Sequence, residues 1–187
     1  MHRSSLSHLF SVCTVLSLSA CAVQTYVEPA AGPRAKVRFV TTSKDPTVLR
    51  SYTDLNCSGE SEWMRLRDGT ITNNTGKSLD IPLNVYSKNA AREVYVEANK
   101  PVTVLFDGGE EDNGVNKGYH SCGTLVSFSY GEGKSYEVKF TSGRTCSATV
   151  SEIQNNAGQW SRVPLAAFNE RTNVTPGCLS RFKAMRW

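Results

Sequence analysis

The chain has few of the residues that usually carry enzyme chemistry. Three histidines occur in 187 residues, at positions 2, 8 and 120. Histidine is the side chain best suited to proton transfer near neutral pH, so this scarcity leaves carboxylates as the main acid–base groups. The six cysteines include no C-x-x-C pair, which together with the histidine count argues against a zinc site. Neither sign of charge dominates: 21 Lys+Arg oppose 17 Asp+Glu, interleaved, for a formal +4. A dedicated nucleic-acid binder needs a continuous basic stripe, so DNA and RNA are not expected partners. No apolar run reaches the roughly 20 residues that span a bilayer, and no stretch sustains a helical period of apolar residues. What remains, at 39% hydrophobic, suits one ordinary globular domain and not a disordered chain.

The beginning has its own character. One cation, Arg3, precedes a mostly apolar run from Leu6 to Leu18, and small residues follow up to Cys21. This is the layout of an export signal, with a basic start, a short apolar middle and a small-residue processing site. Leu18-Ser19-Ala20-Cys21 resembles the lipobox of bacterial lipoproteins at all four positions. That resemblance implies cleavage before Cys21, lipid on its sulfur and acylation of the new N-terminus. Several acyl chains anchor stably where one does not. In that family a residue other than Asp after the cysteine directs the protein to the outer membrane, and Ala22 fits. Residues 1–20 are therefore expected as the signal and 21–34 as a lipidated, flexible tether containing Pro29 and Pro33. Residues 35–187 form the single folded domain, in which His120 is the one remaining histidine.

Within that domain a period of two dominates. Ala35-Lys36-Val37-Arg38-Phe39 places apolar residues on one face and bases on the other. The same alternation marks 94–98, 102–106, 122–130, 136–140 and 146–150. Turn chemistry separates the runs: Glu97-Ala98-Asn99-Lys100-Pro101, Asp107-Gly108-Gly109, and Gly131-Glu132-Gly133-Lys134, read as a hairpin. Short strands at this spacing predict an all-β, antiparallel sandwich of the immunoglobulin-like or transthyretin-like sort, with a small barrel as the alternative. Residues 87–92 are expected as one helical turn, and 179–187 as a C-terminal turn or tail.

Removing Cys13 with the signal and assigning Cys21 to lipid leaves Cys57, Cys122, Cys146 and Cys178, an even number in an exported domain. Two disulfides are expected, with three connectivities open. The preferred set is Cys122–Cys146 with Cys57–Cys178, worth about 3.5 and about 5 kcal/mol in a chain-entropy picture. If the strands bearing Cys122, Tyr136 and Cys146 formed a simple meander, the first and third would lie about 9.6 Å apart, beyond the roughly 7 Å reach of a disulfide. The pairing therefore requires a bridge between two sheets, or Cys122 ahead of its strand.

Chemistry-bearing clusters are sparse. His120 is flanked by Ser121 and Cys122, but strand neighbours point to opposite faces, so adjacency opposes a nucleophile–base contact. Asp107, Glu110, Glu111 and Asp112 crowd one acidic segment whose spacing is not that of an EF-hand; it reads as a solvated hairpin tip. Gly131-Glu132-Gly133-Lys134-Ser135 lacks the spacing of a phosphate loop. Trp63, Trp160, Tyr52, Tyr119 and Trp187 are candidates for a ligand groove, although a sandwich uses most such residues in its core. Asn56, Asn73 and Asn173 mark surface turns. Over about residues 93–153, the Lys-Pro turn, the two Cys-bearing strands and the Gly-Lys-Ser-Tyr-Glu-Val-Lys-Phe run between them look like a group of small bacterial sandwich lipoproteins that bring no site with them.

The expectation is a lipoprotein without enzymatic activity, cofactor or metal. It would be anchored in the outer membrane through Cys21, face the periplasm, and bind an envelope protein through strand edges or loops. The alternative is an inhibitor of lysozyme-like hydrolases.

Overall fold

The computed structural model describes residues 26–54, 56–67, 77–87, 89–112, 118–143, 145–166 and 169–171. The alternating runs become strands because each lays its apolar set on an inner face. The strands in chain order are β1 (Arg34–Thr41), β2 (Thr47–Tyr52), β3 (Ser61–Leu66), β4 (Ala91–Glu97), β5 (Pro101–Asp112), β6 (Gly118–Ser129), β7 (Ser135–Thr141), β8 (Ser147–Asn156), β9 (Gln159–Pro164) and β10 (Asn169–Arg171). No helix occurs among the described residues. A first sheet runs β4-β1-β7-β8-β9 and a second runs β10-β6-β5-β2-β3. The protein is an all-β sandwich.

Between the sheets lie Val37, Phe39, Val138, Phe140 and Val150 from one side and Leu49, Met64, Val104, Phe106 and Val126 from the other. Each large apolar side chain removed from water contributes roughly 1.5–3 kcal/mol. Phe106 stacks on Phe140 with ring centroids 5.4 Å apart, while Phe128, Tyr130 and Tyr136 meet edge to face at 5.0–5.5 Å. Gly108 has to lack a side chain at this level, since a Cβ there would stand 2.9 Å from Phe140 Cε1.

Several expectations change. All strand pairs are antiparallel except β1 with β7, which run parallel from Lys36↔Ser135 to Thr41↔Phe140. Gly131–Lys134 is not a hairpin: β6 belongs to the second sheet and β7 to the first, so the turn carries the chain across the sandwich. Its local chemistry is that of a turn either way, with Gly133 at φ 73°. Asp107 does not open a loop, because β5 continues to Asp112 and pairs with β6 down to Asp112↔Gly118. The tip of that hairpin lies outside the described residues. Ala91 and Arg92 belong to β4 and not to a helical turn; just ahead of them Ala90 N–H donates to Ser87 O at 2.9 Å. The tail at 179–187 and residues 1–25, with the expected signal and Cys21, are outside the described residues.

The segment just ahead of β1 is fastened to the open side of the sandwich. Tyr26 donates its backbone N–H to Trp63 O of β3 at 2.9 Å, and its hydroxyl to Tyr95 O of β4 at 2.9 Å. One residue thus joins the edge strands of both sheets. Its ring lies 4.3 Å from the Trp63 ring, and burial, helped by Glu28, pushes its phenol up. Glu28 pairs with Lys77 at 2.6 Å, and Pro33 O accepts from Ala98 N–H.

Candidate functional site

The outer face of the first sheet is not the solvated basic face that the alternation at Lys36 and Arg38 suggests. Residues 77–86 cross it as an irregular strap, and Arg38 beneath is fully buried. A buried guanidinium is tolerable only when its donors are all met. Here Nε and Nη2 donate to Glu93 Oε1 at 2.9 and 2.8 Å. Nη1 donates to Glu137 Oε2 and Pro82 O, each at 3.1 Å, and Nη2 also donates to Ile81 O. The five N–H groups therefore have five bonds. β1 sits between β4 and β7, so Arg38 lies opposite Glu93 on one side and Glu137 on the other.

The carboxylates extend the network. Glu93 Oε2 accepts from Leu79 N–H at 2.7 Å. Glu137 Oε1 accepts from the Tyr86 hydroxyl at 2.8 Å and from Arg162 Nε at 2.9 Å; burial, followed by the bond to Glu137, pushes the Tyr86 phenol up. Arg162 also donates to Leu83 O, and Lys36 Nζ to Leu79 O at 2.8 Å. Four strap carbonyls are thus held by three cations, and two arginines balance two glutamates. Leu79 and Ile81 close over Ile153 as a small apolar cluster. The alternation exposed these charges to view, but a strap with no period of its own gave no sign that it would bury them.

Arg162 ties this network to β9, the last strand of its sheet. Asn156↔Gln159 closes a two-residue turn at Ala157 and Gly158, with φ of 52° and 87°. Hydrogen-bonded and open pairs alternate from there. Gln159, Ser161, Val163 and Leu165 turn their backbone groups toward β8, as Leu165 N–H on Val150 O at 2.9 Å confirms. Trp160, Arg162 and Pro164 turn theirs away, and among the described residues no strand lies beyond them. Trp160 is 45% exposed, whereas Trp63 packs against the core and Tyr52 is buried. Tyr119 and Trp187 have no described side chains. Sequence reasoning listed Trp160 among five aromatics, with nothing to single it out.

The other expected residues fall elsewhere. Cys122 of β6 and Cys146, just ahead of β8, are bridged with Cα atoms 5.9 Å apart. They join the two sheets, which resolves the meander difficulty. Cys57 is disulfide-bonded and packs against Tyr52, Leu105 and Leu125; Cys178 lies outside the described residues. His120 is backbone-paired with Glu110, and its side chain is likewise outside description. No group of His, Cys, Asp and Glu suited to a metal ion occurs among the described residues, nor is any helix there long and apolar enough to cross a membrane.

Asp107 is the one member of the acidic segment whose side chain is described, and it is buried, with Oδ2 unpartnered. Burial pushes its carboxyl up to about 6, against the pull of Arg50 and with help from Glu60. A raised acid holds its proton more tightly in the folded state. Stability should therefore fall as pH rises from its ordinary value of 3.8 toward about 6. The rise to about 6 corresponds to about 3 kcal/mol. Asp107→Asn is expected to flatten this slope and to stabilise the protein near neutrality. Urea unfolding across the window checks it; a slope that survives the substitution would assign the pH dependence to another group.

Comparison with protein-family models, curated proteins and solved structures finds no match for this chain.

Proposed function

We propose that the protein is a lipoprotein anchored through Cys21 in the outer membrane, whose sandwich binds an envelope protein by strand addition at β9. The observation that carries the binding reading is the outward-turned backbone of Trp160 and Arg162 beside an exposed tryptophan. An edge of this kind offers main-chain hydrogen bonds to an extended segment, and the indole offers apolar area for its side chains. The anchoring rests on the Leu18-Ser19-Ala20-Cys21 sequence. The edge is guarded as well as open. Pro164 lacks an N–H and Arg162 carries charge, both of which discourage indiscriminate pairing. A short edge of this sort favours a specific partner over self-assembly.

The test is photo-crosslinking from position 160 in intact envelopes, followed by affinity measurement with the captured protein. Trp160→Pro removes an N–H that β8 does not use, so the β8–β9 ladder should survive. Binding is expected to weaken about tenfold or more, as the loss of one main-chain bond and an aromatic contact would give, with little change in melting temperature. Trp160→Ala should lose less, because it keeps the N–H. Capture of a lysozyme-like hydrolase with loss of its activity would assign the inhibitor role instead, and wild-type affinity in both variants would remove β9 from the site.

A further inference from the structure

Resting on the lipoprotein reading above, the geometry points to a membrane-facing side: we propose that the β3/β4 side of the sandwich lies against the phospholipid surface that holds Cys21, with the β9 edge pointing away. The number of residues available decides this. Tyr26 is fastened to both β3 and β4, so four residues, 22–25, separate the acylated cysteine from a fixed point on the fold. Five steps of extended chain reach at most about 17 Å. A tether running to residue 34 would leave the domain much freer; one that ends at Tyr26 keeps the β3/β4 side within about 17 Å of the lipid.

The surface around Tyr26 has the composition of a headgroup contact. Val27, next along the chain, is 85% exposed. Arg34 and Lys77 lie over the ring of Tyr95, the residue whose carbonyl Tyr26 holds, 4.2 and 5.3 Å from its centroid, and Lys77 also pairs with Glu28 at 2.6 Å. An exposed apolar side chain seats in the interface, and the exposed Arg34 guanidinium extends to phosphate oxygens. β9 is the opposite edge of the sheet from β4. Four interstrand spacings place it about 19 Å farther from the lipid. The edge assigned to partner binding then faces the compartment and is not pressed against the bilayer.

The experiment uses full-length, lipidated protein in phosphatidylethanolamine–phosphatidylglycerol vesicles containing a nitroxide-headgroup lipid. A fluorescent noncanonical residue replaces either Val27 or Gln159 at the β8–β9 turn. Quenching is expected to be about fivefold or more stronger at 27 than at 159, and inserting roughly ten Gly/Ser residues between Val23 and Gln24 should erase most of the difference by lengthening the reach. Comparable quenching at both positions without the insertion would overturn the proposal while leaving the lipoprotein reading intact. Intact mass separates the two: protein purified without acyl chains on Cys21 would overturn the lipoprotein reading, and the orientation with it.

Discussion

Arg38→Met should destabilise the protein by about 3–5 kcal/mol, the range in which removing one partner of a buried ion pair falls. The substitution keeps length and apolar volume but strips five hydrogen bonds from Glu93, Glu137, Ile81 and Pro82. Two buried carboxylates then remain: Glu137 keeps Arg162, whereas Glu93 loses its bonds to Arg38. Loss of charge balance matters more here than loss of contact, so Arg38→Lys should recover only part of the stability; an ammonium cannot meet five fixed acceptors. Denaturant unfolding of the three proteins gives the values. A loss below about 1 kcal/mol for the methionine variant would mean that the strap is held by Leu79 and Ile81 packing on Ile153 and not by the ion network.

The second large effect concerns Cys122–Cys146, which are 24 residues apart in the chain. Closing a loop of that size restricts the unfolded state enough to contribute about 3.5 kcal/mol. The double substitution to alanine is therefore expected to lower stability by roughly that amount, chiefly because the unfolded chain gains freedom. The prediction has a signature that separates it from core damage: the urea dependence should steepen, because the unlinked unfolded chain exposes more surface. An unchanged slope with an equal stability loss would place the effect in the native packing around Cys146, which is itself buried.

Much of the sandwich could be read from the residues, and the failures share a cause. β1, β4, β5, β6, β7 and β8 are legible because each lays an apolar set on the core. β3 is harder to see, since Trp63 is an extra residue opposite the Leu49–Arg50 step of β2 and breaks its period of two. β9 has exposed or half-exposed residues throughout, so no face of it is marked by hydrophobicity, which is also why it remains available as an edge. The Gly131–Lys134 turn was misread because a turn's residues report its dihedral angles and not whether the flanking strands pair or part. The Arg38 network was invisible for a further reason: Arg38, Glu93, Glu137 and Arg162 meet only through the strand order, and 124 positions separate the first from the last. Trp160 was legible as an aromatic residue but not as an exposed one.

The parallel pairing of β1 with β7 also bears on the order of assembly. Lys36 must wait for Ser135, its partner about a hundred positions later, so the first strand to be synthesised is among the last to gain both of its neighbours. Such distant pairing slows folding, because the chain loses the freedom of a long loop before any contact compensates. The β5–β6, β7–β8 and β8–β9 hairpins have no such delay and can form from local chain, and the Cys122–Cys146 link requires nothing upstream of β6. The later half of the chain is then the template onto which the earlier half docks, and a chain halted before residue 135 would hold an unfinished first sheet in which β1 has only β4 beside it.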